Sequence, residues 1–165
     1  MFKRIKLIVV VFTFTYMKSQ EITIRPATQA DMPFIDLLAK KFELDCENME
    51  LEQFVTAKRR DEIIGFGRLR KHSGPKEMRV SCTELATVGV IPQERKKGIG
   101  IAIVNELLRA GPSEIFVTCV IPDFFSRFGF KPVKKYPPAL QKKVDFCKSF
   151  DFCEEQIFVM KRVTG

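Results

Sequence analysis

Glu84-Leu85-Ala86-Thr87-Val88-Gly89-Val90-Ile91-Pro92-Gln93-Glu94-Arg95-Lys96-Lys97-Gly98-Ile99-Gly100 is the stretch on which the fold turns. It starts as an apolar strand, passes through a polar loop, and closes on Gly-x-Gly ahead of a segment with helical periodicity, residues 98–110. Backbone N–H groups at a helix N-terminus attract anions. Glycines let a phosphate come close to the main chain. Arg95, Lys96 and Lys97 add positive charge, so the junction is expected to hold a phosphate or pyrophosphate. A P-loop would place Lys-Ser/Thr where Ile101-Ala102 stand, and a dinucleotide fingerprint would place a third glycine where Ile103 stands. Both are excluded.

Working outward, residues 79–91 form one long strand, and Gly111-Pro112 stops the helix behind the loop. Upstream, Ile22, Ile24 and Pro26 alternate with polar residues as a strand. Thr28 and Asp31 resemble a capping box before a helix carrying Met32, Phe34, Ile35, Leu38 and Ala39. Residues 43–52 are acidic and are expected to form a loop or short helix. Residues 53–58 and 63–70 make a hairpin. Downstream, residues 114–120 are a strand, 122–128 a short helix opened by a proline, 136–155 irregular, and 156–162 a closing strand. Strands and helices alternating about one long strand predict a mixed α/β sheet.

With 165 residues the chain is one domain's worth, and its 16 Phe against no Trp predict a Phe-rich core. The net charge of +8 is scattered. No basic stripe interleaved with aromatics appears, which argues against nucleic acid and for an anionic small partner. Cys46, Cys82 and Cys119 stand alone in apolar surroundings. Cys147 and Cys153 do not form CxxC, and His72 is the one histidine, so no metal site is expected. Whether that cysteine pair is linked stays open.

Residues 1–17 join Lys3, Arg4 and Lys6 to an apolar run, the pattern of a signal peptide. The run is short for a membrane span, and Tyr16-Met17-Lys18-Ser19-Gln20 lacks the small residues of a cleavage site. Alternatively Met17 is the natural start, and what precedes it is an over-extended reading frame or a leader. Residues 1–20 are therefore set apart from a domain at 21–165.

Arg95-Lys96-Lys97-Gly98-Ile99-Gly100 resembles motif A of the GNAT superfamily of N-acetyltransferases, [QR]-x-x-G-x-[GA]. Residues 22–27 with Asp31 resemble the family's opening strand and helix, residues 62–67 its third strand, and residues 122–130 its motif B, a short helix ending in Gly-Phe. The resemblance covers residues 21–132. It implies the GNAT acyl-CoA N-acyltransferase fold, an α/β fold with a mixed, mostly antiparallel central sheet flanked by helices. It also implies acetyl transfer from acetyl-CoA to an amine by direct attack. The donor is a cytoplasmic metabolite, which favours Met17 as the start and a cytoplasmic location without membrane contact.

The resemblance also implies roles. Val88, Gly89 and Val90 pair with the pantetheine arm, and the Val90 amide polarises the acetyl carbonyl. The backbone of Arg95, Lys96, Lys97, Gly98, Ile99 and Gly100 holds the pyrophosphate. Glu84 stands where several family members keep a general base. Period two puts it on the face of Val88 and Val90, provided no bulge intervenes. Phe125 occupies the place of the Tyr that often protonates the leaving thiolate, so that proton comes from water or from Cys119, for which plain packing is preferred.

Phe124-Phe125 in motif B is similar to amino-acid acetyltransferases of the N-acetylglutamate synthase type. The tail, with Tyr136-Pro137-Pro138, Cys147 and Cys153-Glu154-Glu155, matches short members of that kind in part. An acidic amino acid needs cations, and Arg25, Arg68 and Arg70 lie on strands expected to flank the acceptor. The partner is then a small-molecule amine, with a homodimer left open. A protein acetyltransferase using the acidic 43–52 stretch and a non-catalytic acyl-CoA sensor are the alternatives.

Overall fold

A computed structural model describes residues 21–73, 81–149 and 157–164. The expectations for the leader, for a start at Met17 and for Cys153 lie outside these residues. The elements are β1 (Ile22–Pro26), α1 (Met32–Lys41), β2 (Phe54–Arg59), β3 (Glu62–His72), β4 (Cys82–Val90), α2 (Ile99–Ala110), β5 (Glu114–Cys119), α3 (Pro122–Ser126), β6 (Lys131–Pro132), α4 (Gln141–Lys148) and β7 (Phe158–Val163). The strands make a seven-stranded sheet in the order β1-β2-β3-β4-β5-β7-β6. Every pairing is antiparallel except that of β4 with β5.

Helix α2 covers one face. Its apolar positions Ile99, Ile103, Val104 and Leu107 recur at helical spacing and are all buried, against Ile64, Leu85, Ile115 and Met160 among others. Burying each such side chain stabilises the fold by about 1.5–3 kcal/mol. The helix sits unusually close to β3 because Gly65 and Gly67 lie under it. A Cβ on Gly65 would fall 2.8 Å from Ile103 Cδ1, and one on Gly67 2.9 Å from Ile103 Cγ2.

Helices α1 and α4 cover the opposite face. Ile35, Leu38 and Ala39 of α1 pack on Phe54, Ile63 and Phe66, and Val144 of α4 joins Leu140, Cys82, Phe116 and Val159. Residues 136–155 were expected to be irregular, yet they contain α4 and a 3-10 turn at Pro138–Leu140. Val144 is the one buried residue of α4, too weak an apolar stripe to announce a helix from sequence. The helix is recruited by the sheet surface beneath it.

β4 does not run straight. Its pairing with β3 jumps from Phe66↔Gly89 to Arg68↔Ala86, so Thr87 and Val88 together oppose Gly67, and Thr87 sits at φ 53. This bulge resets the alternation of side chains. Leu85 and Val88 both pack on the α2 face, while Glu84 and Thr87 face the other side. The expectation that Glu84 shares a face with Val88 and Val90 fails at this residue, because the condition attached to it is not met.

Candidate active site

Among the described residues β4 and β5 are paired only at Glu84↔Phe116. Beyond that point the strands diverge and the sheet opens. On the α1/α4 side the opening becomes a cavity of about 340 Å³ between Glu84–Val88 of β4, residues 117–121, Phe42–Asp45 and Lys143. On the α2 side a groove runs past Val88, Val90, Arg95, Lys96, Gly98, Gly100, Phe124 and Arg127. Val88, Ile121 and Phe125 line both, so cavity and groove meet through the splayed sheet.

The groove's floor is the Gly-x-Gly junction. Lys96 (φ 62) and Gly98 (φ 83) take left-handed backbone that turns the chain into α2. A Cβ on Gly98 would meet nothing within 4 Å, so the space above it is open. The first backbone bond into α2 runs from Ala102 N to Gly98 O, 3.0 Å. The N–H groups of Ile99, Gly100 and Ile101 precede it and lack helical acceptors. N–H groups without helical acceptors, open space over glycine and the Lys96 and Arg127 side chains fit the diphosphate of acetyl-CoA.

The other basic residues of the loop are used differently from expectation. Arg95 donates from Nε to Val90 O at 3.0 Å and lies over the Phe42 ring, while Lys97 pairs with Glu94 at 3.4 Å. Ile99 is buried in the core, and Gly89 packs against Phe66. At Ile99 and Gly89 only the main chain is available to a ligand. Ile91 N–H bonds Ile64 O on β3, at 3.0 Å. Backbone donors alternate sides along a strand, which turns the Val90 N–H toward the opening.

Glu84 is 1% exposed and lines the cavity on the α1/α4 side. His72 Nε2 lies 2.7 Å from its Oε2. Pairing across β3 and β4 makes these two diagonal neighbours, since Arg70 opposes Glu84 and His72 opposes Cys82. Nothing in the sequence spacing joins His72 to Glu84; the antiparallel register does.

None of the three arginines borders this cavity. Arg25 lies on the edge strand β1, three strands from β4, and binds Asp31 at 2.9 Å, so it does not border this cavity. Arg68 is fully buried and donates to the carbonyls of Asp45, Glu47 and Asn48 and to Thr87 Oγ1. It organises the loop after α1. Arg70 binds Asp45 at 2.6 Å and Glu47 at 2.8 Å and borders a separate polar cavity with His72. Among the described residues the cation that lines this cavity is Lys143 of α4, which pairs with Asp45 at 2.9 Å. Burial alone would raise the Asp45 carboxyl; the charge of Lys143, the Glu47 N–H and Arg70 outweigh it and hold it at about 2. Sequence reasoning missed Lys143 because it lies in the segment expected to be irregular.

Phe125 is buried, set edge-on to Phe124 and Phe130, and offers no proton. Cys119 Sγ lies 3.7 Å from Met160 Sδ, and burial pushes its thiol up to about 11. Among the described residues no group of three His, Cys, Asp or Glu could hold a metal, and no helix is long and apolar enough to cross a membrane.

Comparison with known proteins matches residues 20–130 to the family model described as Acetyltransferase (GNAT) family. An amino-acid acetyltransferase of Mycobacterium tuberculosis is 27% identical over 78% of this chain and 79% of its own. Among solved structures, a Mycobacterium tuberculosis protein in complex with CoA and NLQ superposes with TM-score 0.64 at 23% identity, covering 87% of this chain and 99% of that one. N-acetylglutamate synthase from Neisseria gonorrhoeae, complexed with coenzyme A and N-acetyl-glutamate, gives TM-score 0.67 at 18% identity over 90% of this chain but 36% of its own. The family match spans the strand, bulge, glycine loop and motif B that build the splayed site, and the chain belongs to the acetyltransferase (GNAT) family as an acetyl-CoA-dependent N-acetyltransferase.

Proposed function

We propose that this enzyme acetylates the amine of a small molecule, an amino acid, in the cytoplasm, by direct attack on acetyl-CoA. The observation that carries the proposal is a buried carboxylate, Glu84, on the wall of a cavity that meets the glycine-loop groove through the splay of β4 and β5. The Ile99, Gly100 and Ile101 amides hold the diphosphate, and Val88, Gly89 and Val90 carry the pantetheine arm along the splayed edge. This places the thioester between the two compartments. The Val90 N–H meets the carbonyl oxygen as it gains charge.

The acceptor enters as an ammonium, and Glu84 takes one proton from it. The amine nitrogen bonds the acetyl carbon as the carbon–sulfur bond breaks. With phenylalanine at position 125, the thiolate takes its proton from water or from the attacking nitrogen. The walls formed by Phe42–Asp45 and Lys143 suit a compact acceptor better than a peptide laid along an open groove. Lys143 supplies the cation for a carboxylate of an amino acid, and the likeness to a protein named amino-acid acetyltransferase supports that class.

The test is CoA release from acetyl-CoA by the purified protein against amino acids, polyamines and short peptides. Turnover on amino acids bearing an extra carboxylate, and loss of it in Lys143→Ala with unchanged acetyl-CoA binding, is the expected result. Turnover on peptides alone would overturn the small-molecule proposal.

A further inference from the structure

We propose that His72 is the positioning residue for Glu84: its ring clamps one carboxylate oxygen and leaves the other to face the acceptor. The inference rests on Glu84 acting as the base. Glu84 Oε2 lies 2.7 Å from His72 Nε2, and the two side chains are 1% and 8% exposed. A buried carboxylate without a partner is costly, and His72 provides one from the strand edge. With Oε2 held, Oε1 is the oxygen left for the acceptor's ammonium, which fixes the direction of proton transfer.

His72 lies between two compartments. Glu84 lines the acceptor cavity, whereas His72 lines the polar cavity on the far side, with Arg70, Glu47, Glu50 and Lys142. The charged and titratable groups that line this cavity or neighbour His72 on the sheet come from four places. β3 brings Arg70 and Lys71, β4 brings Cys82 and Glu84, residues 47–50 bring Glu47 and Glu50, and the segment around α4 brings Lys142 and Lys143.

The experiment compares His72→Phe, His72→Gln and Glu84→Gln in the full-length enzyme. Acetyl-CoA binding and thermal melts are recorded for each, so that misfolded protein is recognised. His72→Phe is expected to lower kcat at least about 10-fold with acetyl-CoA affinity unchanged. The kcat/KM profile against pH is recorded as well, and that of His72→Phe should differ from wild type. His72→Gln keeps an N–H donor without the imidazole ring and should recover part of kcat. In a Glu84→Gln background, His72→Phe should add little further loss. If Glu84→Gln lowers kcat but His72→Phe leaves both kcat and the pH profile unchanged, the positioning role is overturned while the base stands. If Glu84→Gln retains full rate, the base assignment itself fails. If the double variant shows the full product of the two single losses, His72 acts elsewhere than through Glu84.

Discussion

Arg68 donates from Nε to Thr87 Oγ1 at 2.9 Å, and Thr87 donates its hydroxyl to Asp45 O at 2.9 Å. A fully buried guanidinium thus ties the bulge of β4 to the loop that forms one wall of the cavity beside Glu84. The bulge puts Thr87 in left-handed backbone, which a β-branched residue adopts only under tertiary constraint. Arg68→Ala removes that constraint and orphans three carbonyls. Unfolding in urea is expected to show a loss of about 3 kcal/mol, with turnover reduced further than stability alone explains. Arg68→Lys cannot span the same acceptors and should recover little of either.

Glu84→Gln keeps the shape of the carboxylate and removes its basicity. Its kcat is expected to fall about 10²–10⁴-fold, while acetyl-CoA affinity by calorimetry stays near wild type. Full retention of rate would transfer the base role away from β4.

Gly98→Glu places a carboxylate in the open space above the glycine loop, in backbone at φ 83. Acetyl-CoA binding is expected to be lost through repulsion of the diphosphate. Gly98→Ala, which adds only backbone strain of about 1 kcal/mol, should weaken binding far less. Equal affinities for both variants and wild type would remove the glycine loop from the site.

Gly67→Ala tests the closeness of α2 to the sheet. Its Cβ would fall 2.9 Å from Ile103 Cγ2 and 3.1 Å from Leu107 Cδ1. Overpacking of this kind costs about 1–3 kcal/mol. The expected signature is a lowered Tm together with weaker acetyl-CoA binding, because α2 carries the glycine loop on its first turn.

Asp45 gives a pH dependence with a definite sign. Its carboxyl is held at about 2 in the folded protein against an ordinary 3.8. The stabilisation is therefore complete above about pH 4 and is lost as the pH falls through about 2, a span worth about 2 kcal/mol. Unfolding midpoints measured from pH 5 to 2 should fall more steeply in wild type than in Asp45→Asn. Parallel curves would show that Lys143 and Arg70 do not hold this carboxylate.

The sequence by itself determined the family, the α/β order of elements and the glycine loop, because each rests on local chemistry. The periodic apolar stripe of α2, Gly-x-Gly ahead of it and the Gly-Phe turn after α3 read the same in isolation as in the fold. Which face Glu84 occupies was decided only by tertiary structure, since a bulge inserts one residue and reverses the alternation with no local signature at Thr87. The destination of the arginines was likewise non-local: Arg68 and Arg70 are consumed by backbone carbonyls and carboxylates 20 to 25 residues away in the chain. The same holds for Lys143, on a helix whose single buried residue is too weak a stripe, and for His72, which meets Glu84 across a register that long-range strand pairing sets.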